Sequence, residues 1–148
     1  MTTTYNIKVV SQTNAIIIIF LSLAIFMGGI FIYFPHGIHN EGLSILLVAI
    51  SFTIVYFLWQ TFVTAKTQWT INDDGIYMTW IKQFAFTHND DITIKWNEIE
   101  SISRGLDPNY YNLKIKLISG QTIRFYHDTL TTRDDFQEFL KALNNKHK

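Results

Sequence analysis

The chain has 148 residues, no Cys, and 12 Lys and Arg against 12 Asp and Glu, so its formal net charge is zero. The absence of Cys excludes disulfide frameworks, thiol nucleophiles and cysteine metal sites. Neutrality argues against a nucleic-acid surface, because phosphate neutralisation requires a basic excess.

Two long apolar stretches dominate the first half of the chain. Ala15–Phe34 and Leu43–Val63 contain no Asp, Glu, Lys, Arg or His. A helix needs about 20 such residues to cross the hydrocarbon of a bilayer. The first stretch is too long for a signal-peptide core and precedes no small-residue cleavage pattern. With only Pro35–Gly42 between them, the two stretches predict a transmembrane helical hairpin with helices over about 15–34 and 43–65.

Basic residues near the helix ends predict the orientation. Lys8 precedes the first helix, Lys66 follows the second, and the connection contains no Lys or Arg. We therefore expect a multi-pass protein of a bacterial inner membrane with both termini cytoplasmic. Its parts are a cytoplasmic N-terminal segment (1–14), the hairpin (15–65) and a cytoplasmic domain (66–148).

Small residues on the two apolar helices let backbones approach closely. Ala24 and Gly28 are four apart on the first helix, and Ala49 and Thr53 match them on the second. We expect them to pack the hairpin internally, with a homo-oligomer interface as the alternative.

After Lys66 the apolar residues follow a period of two, which indicates β-strands. The strand candidates are Gln68–Ile71, Ile76–Ile81, Ile92–Trp96, a segment from Ile99 toward Arg104, Tyr111–Leu117 and Ile123–Tyr126. Two further segments could complete the sheet, Phe84–Phe86 and the alternating residues of Tyr5–Val10. A loosely ordered tail is the alternative for the N-terminal segment.

The chain ends in an amphipathic helix. Its apolar residues lie at positions i, i+3, i+4 and i+7, a stripe that must cover other apolar surface. They are Phe136, Phe139, Leu140 and Leu143.

Three basic residues form the most distinctive surface pattern. Lys114, Lys116 and Arg124 alternate with apolar residues on adjacent strand candidates, so we expect them on the outer face. The turn at Ser119–Gly120 is expected to pair Leu117 with Ile123, which places Lys116 opposite Arg124. The three cations could bind a phospholipid head group or a partner, but a solvated strand face is the interpretation we favour.

This layout resembles the bacterial pleckstrin-homology-like (PH-like) domains found beside membrane hairpins. The matching residues are Trp69–Tyr77, Ile94–Ile99 and Phe136–Leu143. On their chemistry alone, we expect Gly75 to serve a turn without Cβ strain and Glu98 to accept backbone hydrogen bonds. The resemblance implies an α+β or all-β domain, an antiparallel β-sandwich or barrel of five to seven strands closed by a C-terminal helix. It also implies a membrane-proximal location and no catalytic residues.

Residues with catalytic or metal-binding chemistry are few. His36, His39 and Glu41 have a spacing that a metal ion can use, but as exposed loop residues they need no such explanation. Asp73, Asp74 and the acidic run near residue 90 fit turns. No phosphate loop, zinc-protease motif or nucleophile elbow is present. The sequence predicts no enzyme, no metal site and no cofactor.

These observations leave three function classes. The leading hypothesis is a non-catalytic membrane protein whose PH-like domain binds a protein partner or scaffolds a membrane complex. An immunity protein that protects against a toxin is the second, and lipid head-group sensing through the three basic residues is the third.

Overall fold

The computed structural model of the protein describes residues 2–33, 41–107, 110–127 and 134–146. The chain forms two compact units, one made of Met1–Val10 with Thr64–Lys148 and the other of Ser11–Val63. The first unit therefore combines the two ends of the chain, and the second is inserted between them. Both boundaries lie upstream of the expected ones at residues 14 and 65, because Gln12–Asn14 belong to the first helix and Thr64 and Ala65 belong to a strand.

The inserted unit is helical. Helix α1 spans Gln12–Tyr33, helix α2 spans Glu41–Leu58, and a π-helical turn follows at Trp59–Val63. Both helices are long and apolar enough to cross a membrane, over Gln12–Gly29 and Gly42–Val63. Their large apolar side chains are mostly exposed, as for Phe20 at 68% and Phe52 at 72%.

Helix α1 begins three residues before the apolar stretch, with a polar first turn that the preceding serine caps. The Ser11 carbonyl accepts a hydrogen bond from the Ala15 amide at 2.9 Å, and Ser11 Oγ accepts one from the Asn14 amide at 3.3 Å. Ser11 therefore acts as an N-cap. The Asn14 side chain also donates to the Phe62 carbonyl at 2.8 Å, which ties the start of α1 to the π-helical turn.

The other unit contains one antiparallel sheet of seven strands. In chain order they are β1 (Thr3–Val10), β2 (Thr64–Ile71), β3 (Gly75–Lys82), β4 (Ile92–Lys95), β5 (Ile99–Asp107), β6 (Tyr110–Leu117) and β7 (Thr122–His127). Their spatial order is β4-β3-β2-β1-β7-β6-β5. The N-terminal segment is thus the central strand, and the loose-tail alternative is wrong. Phe84–Phe86 lies outside the strands.

The sheet is not closed. Strands β4 and β5 are its two edges, joined along the chain by a 3₁₀ turn at Trp96–Glu98. Each edge strand pairs with one neighbour only in the described residues. The closed barrel that the resemblance implies is therefore not the observed arrangement.

The β6–β7 register differs from the expected one by two residues. Ile115 pairs with Ile123, and Lys114, not Lys116, lies opposite Arg124. The cause is a shorter loop than expected, because the Leu117 amide already bonds to the Gln121 carbonyl at 2.9 Å. Gly120 sits in this loop with a left-handed φ of 86°, a conformation typical of three-residue hairpin loops.

Helix α3 (Phe136–Lys146) covers the inner face of the sheet. All four residues of its predicted apolar stripe are buried, which confirms that prediction. Trp69 lies at the centre of the core, with ring centroids 5.0 Å from Phe139 and 4.5 Å from Phe125. Its indole N–H donates to Thr67 Oγ1 at 2.8 Å, so the buried ring keeps its polar group satisfied.

Candidate functional site

The three basic residues singled out from the sequence lie together on the outer face of β6 and β7. Lys114 is the cross-strand neighbour of Arg124, and Lys116 is two residues further along β6. Arg124 is exposed, whereas both lysines are half-buried.

An acidic neighbour divides this basic group. Lys116 Nζ lies 2.6 Å from Glu100 Oε1, an exposed ion pair between β6 and β5. Neither Lys114 nor Arg124 has a carboxylate partner in the part of the chain that the structure describes. The cationic character is therefore concentrated on this cross-strand pair and not on all three residues.

Arg124 also borders an open cavity on the sheet unit, which we call the seam cleft. Its volume is about 520 Å³, within the range of ligand pockets. Its lining comes from the start of β4 on one side and from the β6–β7 region on the other: Asp91, Ile92, Thr93, Ile94, Leu117, Gln121, Thr122, Ile123 and Arg124.

The seam cleft follows the edge of β4 that has no strand neighbour. An edge strand presents backbone N–H and C=O groups that another extended chain can pair with. Asp91 is already engaged, because its Oδ1 accepts a hydrogen bond from the Trp80 amide at 3.1 Å. Arg124 is the cation of the cleft lining, Asp91 keeps its negative charge on the β4 side, and isoleucine side chains give the cleft apolar surface.

The residues that carry the PH-like resemblance have structural roles. Asn72 Oδ1 accepts hydrogen bonds from the amides of Asp74 at 3.0 Å and Gly75 at 2.9 Å, which closes the β2–β3 turn. The Trp96 indole donates to the Asn72 carbonyl at 3.0 Å. Glu98 Oε2 accepts the Lys95 amide at 3.2 Å, which confirms its expected role.

Gly75 has a different role from the one expected. Its φ is not in the left-handed region, since Gly120 is the described glycine with a positive φ. A Cβ built on Gly75 would lie 2.2 Å from the Ile94 carbonyl oxygen. The position therefore requires glycine because β4 passes too close for a side chain.

A buried polar pair joins the start of α3 to the central strand. His127 is 7% exposed, and its Nε2 lies 2.8 Å from Asp134 Oδ1. Asp134 Oδ2 accepts the Lys8 amide at 2.9 Å, and Asp135 accepts the Asn6 amide at 2.8 Å. Two side chains thereby bond backbone amides on the side of β1 that is not paired with β2.

The environment of Asp134 favours its ionised form. Burial raises the pKa of its carboxyl, but hydrogen bonds from His127 and from the amides of Lys8 and Phe136, with the charge of His127, outweigh burial. The pKa of Asp134 is therefore held below its ordinary value of 3.8. Sequence reasoning gave His127 no role.

The predicted helix-packing residues are not at a close helix contact. Ala24, Ala49 and Thr53 are exposed, and a Cβ added at Gly28 would meet nothing within 4 Å. Thr53 Oγ1 bonds to the Ala49 carbonyl within α2 at 2.8 Å. A role of these four residues in an oligomer stays a prediction.

Candidate metal ligands fall partly outside the described residues. His36 and His39 lie there, and nothing further is assigned to them. Among the residues that are described, no group of three or more His, Asp or Glu could hold a metal ion.

Sequence reasoning missed most of the seam cleft. It identified Arg124, but Asp91, Thr93, Gln121 and Thr122 are turn or strand-edge residues with no distinctive spacing. They come together only because the curved sheet brings β4 near the β6–β7 turn. No family model, no curated protein and no solved structure matches the chain.

Proposed function

We propose that this chain is a non-catalytic, membrane-anchored binding protein whose sheet unit binds an extended, acidic segment of a protein partner in the seam cleft. The observation that carries the proposal is the course of the cleft along the free edge of β4, with exposed Arg124 in its wall. Strand addition supplies backbone hydrogen bonds, and Arg124 selects a carboxylate on the added segment.

A PH-like fold is part of this proposal. Its support is an antiparallel sheet in which β1 to β4 and β5 to β7 are two meanders joined by β1–β7 contact. One amphipathic C-terminal helix covers the inner face of that sheet. Such a scaffold presents edges and loops for binding and needs no catalytic group.

Membrane anchoring is the second part. Apolar helices of this length also occur as cores of soluble proteins, where they are mostly buried. Here the large apolar side chains of both helices are exposed, as for Phe20 and Phe52. Exposed apolar surface of this extent is unfavourable in water and favourable in lipid, which supports membrane anchoring.

The pairing of β1 with β2 supports the proposed orientation. These strands flank the hairpin in sequence and pair along eight residues, from Thr3–Ile71 to Val10–Thr64. A sheet cannot continue through a bilayer, so this pairing is compatible with two crossings and both termini on one side, and not with a single crossing. Lys8 and Lys66 at the helix ends favour the cytoplasmic side of the inner membrane.

Site-specific photo-crosslinking in native membranes tests the binding proposal. A photoreactive residue at exposed Thr122, in the cleft wall, should give one adduct whose mass-spectrometric identification finds a protein with an acidic extended segment. The matched control is a photoreactive residue at Gln68, which is exposed on the outer face of β2.

The Arg124→Glu substitution should weaken the Thr122 adduct at least tenfold, since it replaces attraction of the acidic segment by repulsion. Equal adducts from Thr122 and Gln68, or an adduct that Arg124→Glu leaves unchanged, would refute binding in the cleft.

A further inference from the structure

Three lysines from different strands form one row on the outer face of the sheet. Lys8 on β1 pairs with Lys66 on β2, and Lys66 pairs with Lys82 on β3. We call them the lysine row. Like charges directly opposite one another destabilise a sheet. The next row on the same face, formed by Asn6, Gln68 and Thr79, is uncharged.

A β-bulge creates this arrangement. Between the pairs Thr67–Trp80 and Lys66–Lys82, the register shifts by one extra residue on β3. Without the bulge, Ile81 and not Lys82 would lie opposite Lys66. Bulges often redirect a side chain at a functional position, and this one brings the third cation into the row.

The lysine row lies at a defined end of the sheet. It is the end where β1 finishes at Val10, two residues before α1, and where β2 starts at Thr64 directly after the π-helical turn. The β3–β4 connection leaves the sheet at the same end, after Lys82. The β2–β3 turn at Asn72–Asp74, by contrast, lies at the opposite end of the sheet.

The β3–β4 connection presents an aromatic side chain to solvent. Phe86 is 98% exposed and has a left-handed φ of 62°, a conformation unfavourable for a bulky residue. Hydrogen bonds hold the segment in shape, since the Gln83 side chain bonds the Asn89 amide at 2.8 Å and the Asn89 carbonyl at 3.0 Å. A strained residue persists when its surroundings fix it, and such residues concentrate at functional sites.

We propose that the lysine row and Phe86 together form a contact surface for anionic phospholipid. The ammonium groups bind head-group phosphates, and the Phe86 ring enters the boundary between head groups and acyl chains. The surface is distinct from the seam cleft, and the inference rests on the proposed membrane anchoring. It assigns lipid contact to residues other than Lys114, Lys116 and Arg124.

The absence of Cys allows a direct test on the full chain. His88→Cys, exposed and two residues from Phe86, is labelled with an environment-sensitive fluorophore, and Asp74→Cys, exposed in the β2–β3 turn at the opposite end, serves as the control position. Each labelled chain is reconstituted into phosphatidylcholine vesicles with or without phosphatidylglycerol, and quenching by nitroxide-labelled lipid is measured. Quenching at position 88 only, and only in anionic vesicles, is the expected result.

Charge-matched variants identify the residues responsible. Removing the lysine row with Lys8→Gln, Lys66→Gln and Lys82→Gln should weaken attachment about a hundredfold, at about fivefold for each cation. Phe86→Ser should also reduce quenching. The control triple Lys114→Gln, Lys116→Gln and Arg124→Gln removes the same charge and should leave quenching unchanged.

Three outcomes would overturn the inference: two concern the lipid contact alone, and the third also concerns the anchoring. If vesicle-bound chains resist alkaline extraction but position 88 stays in water, the lipid contact is refuted and the anchoring stands. The same conclusion holds if only the control triple loses quenching. Chains that alkaline extraction removes from the vesicles refute the anchoring itself, and the inference with it.

Discussion

Gly75 illustrates how one residue constrains the fold at the residue scale. A turn rich in Asn, Asp and Gly identifies the hairpin from sequence, but it does not reveal why the glycine is needed. The reason is non-local, because the Ile94 carbonyl of β4 occupies the space where a Cβ would lie. Turn chemistry therefore predicted correctly that glycine is needed at position 75, but the reason is the close approach of β4 and not the turn conformation.

Gly75→Ala should therefore destabilise the sheet unit by about 3 kcal/mol, since backbone atoms of β4 must move to relieve the overlap. Thermal unfolding of the full chain in detergent, followed by near-ultraviolet circular dichroism of the buried Trp69, measures the loss. Gly120→Ala is the comparison. It meets open space but has a left-handed φ, so its cost should be about 1 kcal/mol. Equal effects of both substitutions would contradict the steric explanation.

Buried aromatic residues were predictable at this scale, and exposed functional candidates were not. The apolar stripe of α3 could be predicted from its spacing alone, because helical periodicity identifies the residues that share the buried face. Phe86 has no comparable signal, since sequence does not distinguish a phenylalanine that packs from one that a braced loop exposes.

At the scale of elements, α3 is fixed to β1 by the carboxylates at its N-terminal end. His127 and Asp134 supply one contact and Asp135 the other. The ring of His127 also stacks on Phe136 at 4.1 Å between centroids, which connects the pair to the first residue of α3. This clasp is a charge-assisted arrangement and must depend on pH.

Asp134→Asn should reduce the unfolding free energy by about 2 kcal/mol at neutral pH, the scale of a lost charge-assisted hydrogen bond. Because the pKa of Asp134 is lowered on folding, its stabilising contribution is complete above its ordinary value of 3.8 and disappears as pH falls through the lowered value. The difference between variant and parent in thermal unfolding should accordingly vanish in strong acid.

Asp73→Asn is the control for this prediction. The hydrogen bond and charge of Lys146 also lower the pKa of Asp73, but both side chains are exposed and solvent screens their attraction. Its substitution should have a much smaller effect at neutral pH. A difference for Asp134→Asn that persists unchanged in acid would rule out a contribution from its charge.

Strand existence could be predicted from the sequence, but strand pairing could not. Alternation identified most strands of the second half, because each strand has one buried face. The β6–β7 register was misjudged by two residues since it depends on the conformation of a loop glycine. The lysine row depends on pairings across the whole inserted unit and on a bulge, neither of which has a local signature.

For the whole molecule, the main feature is a sheet unit interrupted by a helical unit. Strand β1 contributes Tyr5, Ile7 and Val9 to the core, so a fragment that begins at Thr64 lacks a central strand. Ser11 and Val63 extend the β1–β2 ladder as a hydrogen-bonded pair, with the Ser11 amide 3.0 Å from the Val63 carbonyl, so a two-residue turn can join them. Asn-Gly is the sequence that such hairpins prefer.

Replacing Gln12–Phe62 by Asn-Gly should therefore give a soluble, monomeric protein that unfolds cooperatively. Heteronuclear NMR spectra would show dispersed amide resonances for this chain. The matched control, residues 64–148 alone, should lack them because three apolar core positions and the partners of β2 and β7 are missing. A well-dispersed spectrum from residues 64–148 would contradict a structural requirement for β1.

The interruption of the sheet also orders events during biosynthesis. The ribosome releases β1 first, and β2 follows only after the whole of Ser11–Val63 has been made. A chain whose hairpin entered the membrane with a single crossing would leave β1 and β2 in different compartments, with exposed strand edges that proteases and chaperones recognise. Under the proposed anchoring, a completed sheet therefore excludes a single crossing, and folding of the sheet unit acts as a checkpoint for membrane insertion.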